Sequence, residues 1–480
     1  MRRAFLLAGG AALSACSMTP KYVRPDLPVP SSWPVGDAYL RQSEAALPSV
    51  TYRDIFRDTR LQRVIDQALA NNRDLRIAAA NIAAARAQYR IQRGELFPTI
   101  AANGAYSYSH SNSPAAGNAA TTDSLSAGIG ITGFEIDLFG RVRSLTSAAL
   151  NRYFAQEATA RATRLTLVGD IAGAWLSYAA DRSLLGIAEE TAANARRSVS
   201  LTDARLKGGI APRTDLRQAE QVLASAESDL AQQKTALAQD VNALQLLVGA
   251  PIDPALLPGS IDEAASNIAA LPAGLDSGVL LRRPDVVSAE YTLRAANAEI
   301  GAARAALFPR ITLTGLLGLA SGALSSLFSS GAFSYSGSAN AAYPIFSGGA
   351  ARAGVAQSEA QRDAAVASYE KAIQTAFSEV ADALARQGTI ADQLGADQRN
   401  VDAALDNYRL ADARYRGAID TFLASLVAQR SLYTAQRGLV QTKLTRATNL
   451  VTLYRVLGGD SLLQSAPTGP TLSGQQDPRQ

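Results

Sequence analysis

Two long stretches of this chain contain no Asp, Glu, Lys or Arg: Leu96 to Thr122 and Ile311 to Ala351. Glycine and serine are too dense there for membrane-crossing helices, and the apolar residues alternate. Ile100, Ala102, Gly104, Tyr106 and Tyr108 fall on one side, with Asn103, Ser107 and Ser109 on the other. Leu125, Ala127, Ile129 and Ile131 form a second such run. Ile311, Leu313 and Leu317 stand opposite Thr312 and Thr314, and Phe333, Tyr335, Ala339, Ala341 and Tyr343 stand opposite Ser334, Ser336, Ser338 and Asn340. Period-two alternation of apolar and small polar residues over about ten positions is the pattern of outer-membrane strands. A soluble sheet with one wet face would carry Lys and Glu on it. Four strands cannot close a barrel, and open sheet edges are not tolerated in a bilayer. Other copies must then supply the missing strands. Two, three or more protomers satisfy an even strand number; eight strands would be filled by side chains, whereas twelve leave room for an aqueous lumen.

The rest of the chain is duplicated around these stretches. Leu96-Phe97-Pro98 recurs as Leu307-Phe308-Pro309 (308 − 97 = 211), and Leu138-Phe139-Gly140 matches Ile345-Phe346-Ser347-Gly348 (346 − 139 = 207). Arg205-Leu206 matches Arg414-Tyr415, and Val248-Gly249 matches Leu457-Gly458, both at 209. Each unit reads as helix, two strands, long helix, turn, helix. No proline occurs between Gly140 and Gly208 or between Gly349 and Gly417, and strong helix formers dominate both runs. Sixty-odd residues at 1.5 Å each make helices of roughly 100 Å. Their partners carry 3-4 seams: Leu216, Ala219, Leu223, Ala226, Leu230, Gln233, Leu237, Asp240, Leu244 and Leu247 in the first half. The second half has Leu423, Leu426, Arg430, Tyr433, Arg437, Val440, Leu444, Ala447, Val451 and Tyr454. This is coiled-coil spacing.

Composition excludes much else. One Cys and one His in 480 residues leave no disulfide framework, make a zinc cluster untenable and give little scope for imidazole catalysis. The 46 basic residues nearly balance 42 acidic ones and form no basic run, which argues against nucleic acid as a partner. No Ser-His-Asp, metal-ligand or phosphate-loop pattern is present, and Ser347-Gly348-Gly349 lacks the Lys-Ser/Thr or spaced glycines of a phosphate loop. The N-terminus reads as a secretory signal: Met1-Arg2-Arg3, then an apolar run from Ala4 to Ala15, too short to span a membrane. Leu13-Ser14-Ala15-Cys16 resembles the bacterial lipobox, which implies lipid attachment at Cys16, and Ser17 at the next position favours transport to the outer membrane. The proline-rich segment from Pro20 to Pro34 reads as an extended tether.

Taken together, the segments Phe134 to Arg141, Arg282-Arg283-Pro284-Asp285, Ala295 to Pro309, Pro344 to Gly349 and Ala428 to Tyr433 resemble, in order, the TolC-type outer-membrane factors. Within these the chain is similar to the NodT/OprM-like efflux lipoproteins. The resemblance implies an α+β membrane protein. Each protomer would give four transmembrane β-strands and a share of a long antiparallel coiled-coil α-helical barrel, with an internal two-fold repeat and a trimeric assembly. Segment by segment, it implies a signal peptide over 1–15, a lipid anchor, tether and equatorial segment over 16–56, and a helix over 57–96. An outer-membrane hairpin over 97–139 and a helical hairpin over 140–249 follow, then an equatorial linker over 250–283 and a helix over 284–306. The second hairpin covers 307–347, the second helical hairpin 348–457 and a tail 458–480. Also implied are a homotrimer with twelve strands and twelve tunnel helices, a periplasmic adaptor, an inner-membrane pump of the RND type, and no cofactor beyond the lipid on Cys16. The subunit itself would do no chemistry.

The same resemblance places adaptor docking and the closed gate at two helix-to-helix turns. One contains Arg205, Leu206, Gly208, Gly209 and Asp215, the other Arg414, Tyr415, Gly417 and Asp420. Asp215 and Asp420 are expected either to pair with Arg across protomers or to cap helices, and Asp215 with Gln218 resembles a capping box. Relatives often carry acidic residues where this chain has Ala424 and Val427. An apolar gate that closes by dewetting is then expected in place of a cation-attracting ring. The leading reading is the exit duct of a tripartite drug or small-molecule exporter. A type I protein-secretion conduit and a structural coiled-coil lipoprotein are the alternatives.

Overall fold

The computed structural model describes residues 17–30, 32–34, 51–112, 119–269, 277–417 and 419–459. Cys16 and the expected signal peptide lie outside the described residues. The chain divides into two compact units, one of Met1–Asp26, Asn81–Glu157 and Ser288–Glu370, the other of Leu27–Ala80, Ala158–Val287 and Lys371–Gln480. Helices α1 (Tyr52–Ile55), α2 (Thr59–Asn71) and α3 (Arg73–Gly94) precede strands β1 (Ile100–Asn112) and β2 (Ala119–Glu135). Next come α4 (Arg141–Lys207), α5 (Arg213–Val248), the short α6 (Ile261–Ser266) and α7 (Pro284–Ala305). Strands β3 (Arg310–Ser321) and β4 (Phe333–Ala342) follow, then α8 (Ala350–Arg416) and α9 (Phe422–Val456). No described helix is long and apolar enough to cross a membrane.

The first unit is built on one antiparallel sheet of order β1-β2-β3-β4. Ile100 pairs with Ile131, Leu125 with Ser321 and Arg310 with Ala342. The β2–β3 register shifts between Ile131 and Phe134, a bulge containing Gly133 at φ 66°. The start of the expected extended tether, Pro20 to Arg24, and Thr19 just before it are seated on helices. Thr19 Oγ1 lies 3.0 Å from Ser144 Oγ, and Asn297 Nδ2 donates to Pro20 O at 2.8 Å. Arg24 forms a two-pronged pair with Glu290 at 3.0 and 2.7 Å, while Tyr22 Oη donates to the same carboxylate. The segment passes so close to Gly301 that a Cβ there would fall 2.1 Å from Thr19 Oγ1. Glu290 is buried, so these partners satisfy a charge that would otherwise be costly to bury. Proline content alone does not reveal them.

The second unit has its core around Trp175, whose Nε1 donates to Leu256 O at 3.0 Å, and around Phe56 packed edge-on to Tyr454. The Arg-Arg-Pro-Asp segment acts here structurally. Buried Arg283 donates to Val456 O at 2.9 Å and pairs with Asp285 and Glu379, tying the start of α7 to the end of α9. The single helix expected over 57–96 is two. Asn72 breaks it: its Oδ1 accepts from Leu75 N at 3.0 Å as the cap of α3, and its Nδ2 donates to Leu247 O at 2.7 Å. The side chain thus satisfies orphan groups of two helices at once. On α9 the buried residues include Val440, Ala447, Val451 and Tyr454 of the seam read from the sequence, whereas nearer the turn Phe422, Ser425, Ala428 and Leu432 are buried in place of Leu423, Leu426, Arg430 and Tyr433.

Candidate functional site

Helix α4 cannot continue beyond Lys207. Ile210 N donates to Arg205 O and Gly209 N to Leu206 O, each at 3.0 Å, and Gly209 sits at φ 73°. That left-handed position favours glycine, and the bond pattern is a Schellman-type termination. Pro212, in extended conformation, takes the N-cap of α5 with no side-chain cap bond. Asp215 N bonds to Pro212 O, so Asp215 is the third residue of the helix. The Asp215–Gln218 capping box is therefore not formed. The carboxylate stands in the first turn, where the helix dipole favours it.

The second turn repeats the scheme. Gly417 N donates to Ala413 O and Ile419 N to Arg414 O, both at 2.9 Å. Thr421 caps α9 in extended conformation. The Asp420 carboxylate accepts from Thr421 N at 2.8 Å and from Arg414 Nε at 3.2 Å, both in its own chain. The Thr421 backbone N–H, and then Arg414, hold it below the usual carboxylate range.

Arg205 joins the two turns. Its Nη1 donates to Tyr415 O at 3.0 Å and its Nη2 to Arg416 O at 2.9 Å, with the guanidinium 4.4 Å from the Tyr415 ring centroid. Tyr415 is buried; its hydroxyl lies 3.3 Å from Thr202 Oγ1, and its ring packs against Phe422 and Ala219. Leu206 is half-buried, whereas Gly208 and Gly209 face solvent. Beside this packed knot apolar side chains stand exposed among charged ones such as Lys207, Arg213 and Arg416. Ile210 and Ile419, at matching places in the two turns, are 77% and 68% exposed. Leu423 and Val427, one helical turn apart, are also exposed, with Ala424 half-buried beside them. Sequence reasoning missed the Arg205 clamp, because a lone arginine near a helix end gives no sign of whose carbonyls it reaches.

Farther along α5 and α9 lies a groove of about 540 Å³ lined by Gln218, Gln221, Asp229, Leu426, Arg430 and Tyr433, among others. Tyr433 Oη donates to Asp229 at 3.3 Å, and burial followed by the Asp229 charge pushes the phenol up. Among the described residues, no group of three or more His, Cys, Asp and Glu side chains could hold a metal ion.

The profile of a family described as outer membrane efflux protein matches residues 64–250 and 276–459. The chain is 43% identical over 460 residues to the probable efflux pump outer membrane protein TtgC of Pseudomonas putida, covering 95% of this chain and 94% of the relative. It is 41% identical to outer membrane protein OprJ of Pseudomonas aeruginosa, covering 93% of each. Among solved structures it resembles CusC, studied for conformational changes accompanying folding and transmembrane channel formation. The TM-score is 0.82 at 36% identity, over 92% of this chain and 100% of that one.

Proposed function

The chain belongs to the outer membrane efflux protein family and is an efflux channel of the outer membrane, and from that premise we propose that it is the exit duct of a tripartite exporter, working as a homotrimer. The observation that carries the proposal is the sheet: four strands whose outer members, β1 and β4, are its two open edges. Open edges are not tolerated in a bilayer, so other copies complete the barrel. Three copies give twelve strands and a lumen wide enough for water. The internal two-fold repeat supplies two helical hairpins per chain, hence twelve tunnel helices.

The exposed isoleucines of the two turns and the rim around Arg205, Leu206, Gly208 and Gly209 are the docking surface for a periplasmic adaptor, which connects the duct to an inner-membrane pump. Cys16 carries the lipid anchor, and no other cofactor is needed. Asp420 pairs within its own turn, which supports an apolar constriction at the level of Leu423, Ala424 and Val427 over a ring of charge. The relatives' names point to antibiotics and solvents as cargo, and small apolar compounds are the class assigned here. The test is complementation in a strain lacking its own duct. The chain should lower drug accumulation only when an adaptor and pump are co-expressed. Equal accumulation with and without the chain would contradict the proposal.

A further inference from the structure

The groove of about 540 Å³ between α5 and α9 has the size of a pocket for an organic molecule, and its two ends differ. The hydrogen bond from Tyr433 Oη to Asp229 marks one end. Val222 and Leu426, which also line the groove, each lie seven residues nearer their turn (229 − 222 = 7; 433 − 426 = 7). At 1.5 Å per residue that is a step of about 10 Å along each helix. Leu423 extends the apolar end by another turn, and Gln218 and Gln221 edge it with amides. Thr191 of α4 also lines the groove, and Ala226, packed against Ala192 and Ala195 of α4, gives it a wall of small side chains.

The polar end holds both signs of charge without joining them. Asp229 is half-buried, and among the described residues its carboxylate accepts only from the Tyr433 hydroxyl. A carboxylate has room for about four hydrogen bonds. On the facing helix Arg430 lines the groove and has no ion-pair partner among the described residues, and beside it Gln429 Nε2 is buried without an acceptor. One wall therefore offers an acceptor and the other two donors. A purely cationic ligand would meet Arg430, a purely anionic one would meet Asp229, and an uncharged one would bury the Asp229 carboxylate further with no compensating charge.

We propose that this groove binds an amphoteric amphiphile, with an ammonium and an anionic group at one end and an aromatic or aliphatic tail. The ammonium pairs with Asp229, the anionic group takes donors from Gln429 and Arg430, and the tail lies along Val222, Leu426 and Leu423. Such a ligand differs in class from the apolar cargo assigned to the conduit. Every contact comes from a single chain, so the site stands apart from the oligomeric and conduit readings.

The test uses the full chain in phosphatidylcholine nanodiscs, with empty discs as the blank, and four probes that share one fluorescent tail. Nε-dansyl-lysine carries both charges, dansylcadaverine only the amine, dansyl-aminohexanoic acid only the carboxylate, and dansylamide neither. Fluorescence anisotropy should rank dansyl-lysine tightest. Asp229→Asn should weaken dansyl-lysine and dansylcadaverine by about tenfold and spare the acid, whereas Arg430→Gln should weaken dansyl-lysine and the acid and spare the amine. Equal affinity for all four probes, or affinities unchanged in both variants, overturns the site. Tighter binding of dansylcadaverine than of dansyl-lysine overturns the amphoteric class. A second measurement leaves both charges in place: saturating dansyl-lysine should slow biotin-maleimide labelling of Ser225→Cys, which lines the groove, and not of Ser228→Cys, which does not. Equal labelling rates with and without the probe at both positions place the probe elsewhere and refute the inference.

Discussion

The guanidinium of Arg205 caps the end of a helix other than its own, donating to the last carbonyls of α8 while lying over Tyr415. Arg205→Ala should leave two carbonyls without this partner and cost about 2 kcal/mol of local stability. Amide exchange across 413–421 should accelerate, and Arg205→Lys should restore only part of the protection because lysine lacks the planar fork. Asp240 carries the opposite sign. Burial, and then the charge of Asp181, pushes its carboxyl up to about 7. The folded chain therefore keeps a proton that the unfolded chain loses between pH 4 and 7, so stability falls as pH rises through that window and stays lower above it. The counterpart position, 240 + 209 = 449, holds Asn449, whose amide donates to Ala383 O and Gln387 Oε1. Asp240→Asn should raise thermal stability at pH 8 by about 1 kcal/mol once solvent screening is allowed for, and leave it unchanged near pH 4. At this scale the sequence was least informative. Asp215 has the spacing of a capping box, but Pro212 already fixes an extended residue and takes the N-cap three positions earlier.

Periodicity specifies elements better than partners. The alternation of Tyr106 and Tyr108, or of Phe333 and Tyr335, is enough to draw the strands, because a pleat has a period of two whatever it packs against. The long helices follow from proline-free, alanine-rich runs for a similar local reason. Seam assignment follows only in part. Ala219, Ala226 and Leu244 on α5 and Val440, Ala447, Val451 and Tyr454 on α9 are buried as the 3-4 spacing predicts, but nearer the second turn the buried face is Phe422, Ser425, Ala428 and Leu432 rather than Leu423, Leu426 and Tyr433. The break at Asn72 was visible only as a polar pair, Asn71-Asn72, inside a helical pattern; its purpose depends on Leu247, far away in sequence. Asn72→Ala should cost about 1–2 kcal/mol by orphaning Leu75 N and Leu247 O, read as a lower unfolding temperature at unchanged helix content.

At the scale of the whole molecule, the sheet of one chain is left with two open edges. The charge-free stretches gave notice of this, since four alternating strands cannot close on themselves. The anchor belongs to this scale too. Cys16→Ala should abolish acyl-lipid labelling of the chain while leaving the oligomer intact, and persistent labelling would refute lipid attachment at that thiol. The central claim is that the assembled protein is a passive conduit. Planar bilayers containing the purified full-length protein test it most directly. The account predicts discrete, voltage-independent conductance steps that need no energy source, with weak ion selectivity because the constriction is apolar. A protein that assembles and inserts yet passes no current would contradict the account, and strong cation selectivity traced to Ala424 and Val427 would contradict its apolar gate.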